Sequence, residues 1–211
     1  MTYRRTAKME MRLSDTRDRI RQSAIQLITA NGYKATSMDA IAAGAGVSAG
    51  LLYRYFASKS ALFDEVFQRI STREIAACEE AASIGTTNRD RLARVLDTFS
   101  RRAFRKRRLA WALLIEPVDA EIDAERIRFR TPYRNIFANL LRDAVAAGEI
   151  PPLAVELVAS AILGAVVESL AGPLSTVTEP GEEDRVVEAL TRFCLKAVGY
   201  EAVFRGTDES S

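Results

Sequence analysis

Histidine is absent from the 211-residue chain, and only two cysteines are present, Cys78 and Cys194. Without histidine, Ser-His and Cys-His nucleophile pairs and histidine-rich metal sites are excluded within this chain. The two cysteines lie far apart in sequence, which is typical of a protein in a reducing compartment, where they pack as small apolar residues. We therefore predict no metal and no cofactor, and a cytoplasmic location.

Long apolar runs are also scarce. The N-terminal sequence MTYRRTAKMEMRL has no apolar core of signal-peptide length and predicts a mobile basic tail over residues 1–13. Its arginines can enter a DNA minor groove or be only solvated, and the solvated interpretation is favoured. The apolar segment 153–170 carries Glu156 and Glu168, which argue against a membrane span. No glycine loop of the nucleotide-binding kind is present.

Charge is unevenly distributed along the chain. Residues 1–60 hold 10 Lys and Arg against 4 Asp and Glu, a net charge of +6, whereas residues 61–211 hold 20 against 24, a net charge of −4. This asymmetry suits a DNA-binding domain joined to a domain that does not bind DNA. The basic run Arg101–Arg108 can be a second nucleic-acid patch, but a solvated face near a helix C-terminus is the favoured interpretation.

Residues 36–62, TSMDAIAAGAGVSAGLLYRYFASKSAL, predict two short helices. Ser37 caps the first, and the glycines of residues 44–46 end it. Its inward residues are Met38, Ile41 and Ala42. Ser48 caps the second helix, which ends near Tyr55. Two short helices joined by a glycine-bearing turn form a helix-turn-helix, whose second helix can enter a DNA major groove.

The second helix has one buried side and one side with little to pack against. Gly50 costs about 1 kcal/mol relative to Ala inside a helix, and a close approach of backbone to DNA would explain it. Tyr53 and Tyr55 offer hydroxyl groups to phosphate oxygens, and Lys59 lies behind a Ser58 cap at the start of the next helix. The predicted DNA-binding residues are Thr36, Ser37, Ser48, Ala49, Gly50, Leu51, Tyr53, Arg54, Tyr55 and Lys59.

This segment resembles the helix-turn-helix signature of the TetR family of regulators. The matching residues are Thr36, Ile41, Ala42, Ala45–Ser48, Gly50, Leu52, Tyr53, Tyr55, Phe56, Lys59 and Leu62. The resemblance implies phosphate contacts at the positions of Thr36, Tyr53, Tyr55 and Lys59, and contacts to base edges from residues 48–51. One departure is Gly44, where a bulkier residue is commoner, which implies a looser turn.

The predicted domains are a TetR-type DNA-binding domain over residues 14–75, with its motif at 37–56, and a helical ligand-binding and dimerisation domain over 76–200. Residues 201–211 form a second mobile tail. The chain is all-α, with about nine helices. The helices outside the motif are predicted at 16–30 (capped by Asp15), 58–82, 88 onward, 109–115, 119–147 (kinked or split at Pro132), 151–171 (ended by Gly172-Pro173) and 183–198.

The last two helices predict a homodimer. The apolar residues of the helix at 151–171 surround its axis, so this helix needs burial on two sides. The helix at 183–198 has one broad apolar stripe. The same two helices of a second subunit are the obvious partner, forming a four-helix bundle. The predicted dimer residues are Leu163, Val167, Leu190, Phe193 and Val198.

The middle helices carry most of the aromatic residues of the C-terminal domain. They predict the lining of a pocket for a small, largely apolar effector, although packing in the core is the alternative for each residue. Glu116 and Glu168 lie in apolar neighbourhoods and can orient a cationic or hydroxylated ligand, or be simple exposed or capping carboxylates. The predicted lining is Phe99, Phe104, Trp111, Leu114, Glu116, Phe129, Tyr133, Phe137 and Glu168.

Together these features predict a homodimeric transcription regulator that binds double-stranded operator DNA and a small-molecule effector, with no membrane partner. The repressor role and the ligand sensing are implied by the resemblance. Two other interpretations stay open. One is a DNA-binding dimer without an effector, and the other is a histidine-free helical enzyme.

Overall fold

A computed structural model describes residues 7–118, 120–176, 179 and 181–200. Within these residues the chain forms nine α-helices and no strand. They are α1 (Ala7–Asn31), α2 (Met38–Ala45), α3 (Ala49–Tyr55), α4 (Lys59–Ser83), α5 (Asn88–Arg105), α6 (Arg107–Leu114), α7 (Ala120–Ala146), α8 (Val155–Ser175) and α9 (Glu182–Ala197). The predicted all-α class is confirmed.

The chain divides into two compact units. The first unit comprises Met1–Arg73 and Ala103–Phe129, and the second comprises Glu74–Arg102 and Arg130–Ser211. The sequence-based boundary near residue 75 stays a prediction, but these contacts group α6 and the start of α7 with the predicted DNA-binding domain. Helical periodicity alone cannot reveal such an assignment, because it records only that a face is apolar and not what it packs against.

The core of the first unit is built around α1. Ile20, Ile41, Leu52 and Phe56 are buried together, as the sequence predicted. Three residues of α6 join the same core, which the sequence did not predict: Leu109, Ala112 and Leu113. The two short helices of the motif are therefore held by burial against longer elements, since helices of this length are marginal alone.

Helix α1 begins at Ala7 rather than at Thr16, and Asp15 lies inside it instead of capping it. The residues before Asp15 are mostly good helix formers, so the chain continues the helix through the predicted cap. The predicted mobile tail is wrong for residues 7–13. Residues 1–6 and the predicted tail at 201–211 lie outside the described residues.

Helix α8 runs through Gly172 and Pro173, where it was predicted to stop. The residue four positions before Pro173, Ser169, is exposed, so the carbonyl that proline leaves unpaired can bind water. Helix α7 likewise continues through Pro132 and is not split. By length and composition α8 could cross a membrane, and seven of its residues, including Ile162 and Leu170, are buried within the protomer.

Gly44 lies inside α2, facing Ser23 of α1. A Cβ at Gly44 would approach the Ser23 hydroxyl oxygen more closely than real Cβ atoms do, and that hydroxyl donates to the Ile41 carbonyl at 2.9 Å. Gly44 therefore allows close packing of α1 on α2, and the looser turn implied by the resemblance is not what the structure has.

This contact makes a stability prediction. Gly44→Ala should destabilise the protein by about 1–3 kcal/mol through overpacking. In a Ser23→Ala background the same change should cost far less or stabilise, because Ala is preferred to Gly in helices by up to about 1 kcal/mol. Urea denaturation of the four proteins of this double-mutant cycle measures the coupling. Additive effects would contradict the proposed contact.

Candidate DNA interface

The helix-turn-helix has the predicted start of each helix. The Ser37 side chain accepts the Ala40 N–H at 3.2 Å, and the Ser48 side chain accepts the Leu51 N–H at 3.2 Å. Both serines therefore act as N-caps. The left-handed residue of the turn is Gly46, with φ of +64°, whereas Gly44 is helical. Glycine at position 46 lets α2 end sharply before α3 begins.

Arg19 of α1 contacts the turn directly. Its guanidinium donates to the Ala45 carbonyl and, at 3.3 Å, to the Gly46 carbonyl. Arginine near a helix C-terminus satisfies carbonyls that have no partner within the helix. The sequence alone does not predict this role, because nothing in the local pattern links Arg19 to a turn 26 residues later.

Helix α3 presents a polar face with little intramolecular packing. Leu52 is fully buried, while Ser48, Ala49, Gly50 and Arg54 are exposed. Tyr53 is 51% exposed and Leu51 is half-buried. No atom lies within 4 Å of the position a Cβ would take at Gly50. Internal packing therefore does not require glycine there, which leaves a close approach of backbone to an external partner as its explanation.

The residues predicted to hold phosphates differ in accessibility. Tyr55 is half-buried against the core of the first unit. The Lys59 ammonium lies 4.1 Å from the centre of the Tyr33 ring and 3.4 Å from the Lys34 carbonyl oxygen. Ser58 caps α4 as predicted, accepting the Ala61 N–H at 3.0 Å. The positive charge of Lys59 is thus held at the start of α4.

Thr36 is not an exposed phosphate ligand in this structure. Its side chain is 2% exposed, and its hydroxyl donates to the Gly32 carbonyl at 2.8 Å. A hydroxyl has one proton to donate, so it has none left for a phosphate oxygen. Thr36 instead stabilises the connection between α1 and α2.

Several arginines of the basic N-terminal region are paired within the first unit. Arg17 and Arg21 both contact Glu65 of α4, and Arg21 and Arg69 both contact Asp18. The hydrogen bond from Arg17 lowers the pKa of the Glu65 carboxyl below its ordinary value of 4.5. These cations join α1 to α4 and are not free to neutralise DNA.

The basic run Arg101–Arg108 is largely engaged inside the chain. Arg101 pairs with Asp97 and Asp184, and Arg102 pairs with Glu74. The Arg107 guanidinium carbon lies 5.6 Å from the centre of the Phe104 ring, and Arg108 donates to the Ala30 carbonyl. These contacts favour a structural role over a second nucleic-acid patch.

The residues predicted to line an effector pocket fall in both units. Phe104, Trp111, Leu114, Glu116 and Phe129 belong to the first unit, and Phe99, Tyr133, Phe137 and Glu168 to the second. Within the first unit the Phe129 ring lies 5.2 Å from the Phe67 ring, and within the second the Phe99 ring lies 5.2 Å from the Tyr133 ring. These are edge-to-face contacts typical of a core.

The carboxylates of this set are placed differently from one another. Glu168 is exposed on α8, as in the alternative of a simple exposed carboxylate. Glu116 is buried, and its carboxylate accepts the backbone N–H groups of Tyr33 and Lys34. It therefore has a structural partner, and the alternative of a capping carboxylate describes it better than a ligand contact.

Four of the five residues predicted to form the dimer lie in the protomer core. Leu163, Val167, Leu190 and Val198 are buried, and only Phe193 is exposed, at 59%. Because α8 is apolar on all sides, the sequence could not show which side faces its own core. Leu157, which the prediction did not include, is a large apolar residue of α8 that is 71% exposed.

Comparisons with known proteins agree with this architecture. Residues 20–66 match the family described as "Bacterial regulatory proteins, tetR family", and residues 85–170 match "Tetracyclin repressor-like, C-terminal domain". The HTH-type transcriptional regulator UidR of Escherichia coli (strain K12) is 28% identical over 145 residues, which are 68% of this chain and 74% of UidR.

Solved structures share the fold. The fatty acid degradation regulator FadR from Bacillus halodurans has a TM-score of 0.76 at 20% identity, covering 88% of this chain and 97% of that one. FadR from Bacillus subtilis, solved in complex with stearoyl-CoA, has a TM-score of 0.72 at 24% identity, covering 87% and 98%.

The capped short helices, the left-handed turn and the exposed face of α3 define a helix-turn-helix DNA-binding protein. The two matched regions together cover well over half of the chain. The chain belongs to the TetR family and is a DNA-binding transcriptional regulator.

The exposed face of α3 makes a prediction about DNA binding. Tyr53→Phe and Lys59→Ala should weaken binding to all sequences alike, and Lys59→Ala should reduce the slope of log affinity against log salt by about one. Substitutions of Ser48 or Leu51 should instead change the preference between sequences by roughly 1–3 kcal/mol per affected base pair. Fluorescence anisotropy at several salt concentrations measures both effects. An unchanged affinity and slope for Lys59→Ala would contradict this orientation of the motif.

Proposed function

We propose that this protein is a cytoplasmic homodimeric repressor that binds a palindromic operator and leaves it when a small, largely apolar effector binds. The main support for DNA binding is the exposed face of α3, where Gly50 has no packing neighbour and lies near the exposed Tyr53 and Arg54. Footprinting on the DNA around the protein's own gene tests it, because such regulators often bind beside themselves. A protected site without palindromic character would contradict the proposed symmetry.

The proposed dimer surface is the exposed side of α8 and α9. On α8 this side carries Leu157, Ala161 and Gly164 at helical spacing, and on α9 it carries Phe193 between exposed alanines at 189 and 197. A Cβ at Gly164 would meet no atom within 4 Å, so the protomer itself does not require a glycine there. Small residues beside large apolar ones allow two helices to approach closely, as a four-helix bundle needs.

Two substitutions on α9 separate the dimer surface from the protomer core. Phe193→Lys should yield folded monomers, because Phe193 has little to pack against within one chain. Leu190→Lys is the matched change at a buried position and should unfold the protein. Analytical ultracentrifugation and circular dichroism distinguish the two results. A Phe193→Lys protein that stays dimeric would place the interface elsewhere.

The proposed effector acts by binding one conformation of the protein better than another. A hundredfold loss of operator affinity requires about 2.7 kcal/mol of differential binding, shared between two sites if both fill. Long-chain acyl-CoA compounds are the first probes to test, because the solved FadR of Bacillus subtilis contains stearoyl-CoA.

Titration of stearoyl-CoA with and without operator DNA tests this coupling. We expect ligand affinity to fall in the presence of operator by the same factor by which the ligand weakens operator binding, as reciprocity requires. Trp111 is half-buried on α6 and provides the fluorescence signal. Trp111→Ala should reduce the effect of the ligand on operator binding, measured on labelled DNA, and leave operator affinity without ligand nearly unchanged. Equal ligand affinity in both titrations would show that this compound does not regulate DNA binding.

A further inference from the structure

Glu116 follows α6 and reaches the connection between α1 and α2. It is 5% exposed, and its carboxylate oxygens accept the Tyr33 N–H at 2.9 Å and the Lys34 N–H at 3.2 Å. Both amides follow Gly32, where the chain leaves α1 with φ of +83°. A Cβ at Gly32 would lie 3.2 Å from one Glu116 oxygen, so glycine leaves room for the carboxylate.

Arg126 of α7 fixes the backbone around Glu116. It is buried, and its guanidinium donates to three carbonyl oxygens at the end of α6: Leu113 at 2.8 Å, Ala112 at 2.7 Å and Glu116 itself at 2.7 Å. The last carbonyls of a helix have no partner within it, and the planar guanidinium can satisfy several of them at once. The end of α6 is thus held by one side chain.

We propose that Glu116 is a positioning residue for DNA recognition: through Tyr33 and Lys34 it holds the entry to α2, and Arg126 holds Glu116. This inference rests on the proposed DNA-binding function. All of these residues belong to the first unit. Beside the core packing of α6 and the bond from Arg108 to the Ala30 carbonyl, these two hydrogen bonds join the end of α6 directly to the chain entering α2.

The rival explanation is that Glu116 contributes only to stability. The chain offers a matched control in Glu149, whose carboxylate also accepts two consecutive backbone N–H groups, those of Asn88 at 3.1 Å and Arg89 at 3.2 Å. Glu149 belongs to the second unit, between α7 and α8 in sequence, and its carboxylate binds the first amides of α5. If loss of stability alone weakened DNA binding, removal of Glu149, which also accepts the Asn88 side chain and the Tyr200 hydroxyl, would weaken it as well.

The experiment compares wild type, Glu116→Ala, Glu116→Gln and Glu149→Ala, using a DNA duplex that wild type selects from a random-sequence pool. We expect Glu116→Ala to lower affinity at least about fivefold with an unchanged salt slope, since it reduces the population of the binding-competent arrangement and removes no phosphate contact. Glu149→Ala should stay within about twofold of wild type, because Glu149 bonds to Asn88, Arg89 and Tyr200, which belong to the second unit and not to the motif. Glu116→Gln keeps one acceptor oxygen and should lie between.

Hydrogen exchange tests whether Glu116 holds these two amides, separately from the global stability of the chain. In Glu116→Ala the amides of Tyr33 and Lys34 should exchange faster than in Glu149→Ala under the same conditions. Arg126→Lys should weaken DNA binding in the same direction, and combining it with Glu116→Ala should cause no further loss, because Arg126 acts through Glu116.

The outcomes are distinguishable. Wild-type affinity in Glu116→Ala, or an equal loss in Glu149→Ala, would overturn the positioning role while leaving DNA binding intact. A wild-type protein that selects no duplex would overturn the proposed function itself. If Glu116→Ala fails to fold, Glu116→Gln decides the question by the same affinity and exchange criteria.

Discussion

Burial of α2 and α3 against α1 is the interaction on which the DNA-binding part of this protein depends. The two motif helices have only eight and seven residues, too few to be stable in isolation. The burial of Ile41 and Leu52 beside Ile20 therefore sets the orientation of the helix face that carries Gly50 and Tyr53. The absence of a side chain at Gly44 lets α1 and α2 approach closely.

Hydrogen bonds from charged side chains to backbone groups also hold the motif helices in place. Three charged side chains satisfy the backbone around the motif: Arg19 at the carbonyls of the turn, Arg108 at the end of α1, and Glu116 at the amides before α2. Such groups are costly to leave unpaired when buried, so each contact restricts where its helix can lie. Two of the three residues come from the segment Ala103–Phe129, far from the motif in sequence.

Apolar residues of the second unit divide between a core and an exposed surface. Leu163 and Leu190 fill the core, whereas Leu157 and Phe193 remain exposed on the outer sides of α8 and α9. Cys78 and Cys194 are free and buried in this unit, and burial raises the pKa of the Cys78 thiol to about 12. A thiol that stays protonated is a poor nucleophile, which fits the interpretation of both cysteines as small apolar residues.

The sequence by itself determined the local features of this protein. The caps at Ser37, Ser48 and Ser58, and the buried face of the motif, depend on neighbours a few residues away, and all were predicted correctly. The additional turns of α1 and α8 were not predicted. Asp15 and Pro173 are residues typical of helix boundaries, but both helices continue through them. A local boundary signal is only a preference, and neighbouring residues that favour the helix can outweigh it.

Tertiary structure alone decided which side of an apolar helix faces inward and which distant residues meet. The periodicity of α8 is compatible with either Leu157 or Leu163 facing the core, and only packing chose Leu163. Likewise, the sequence allows Glu116 to be either a ligand contact or a capping carboxylate. The hydrogen bonds that its oxygens accept from the Tyr33 and Lys34 amides favour the capping role. A carboxylate can accept a hydrogen bond from any nearby N–H group. Only the fold decides which residues more than 80 positions away in sequence come close enough to donate one.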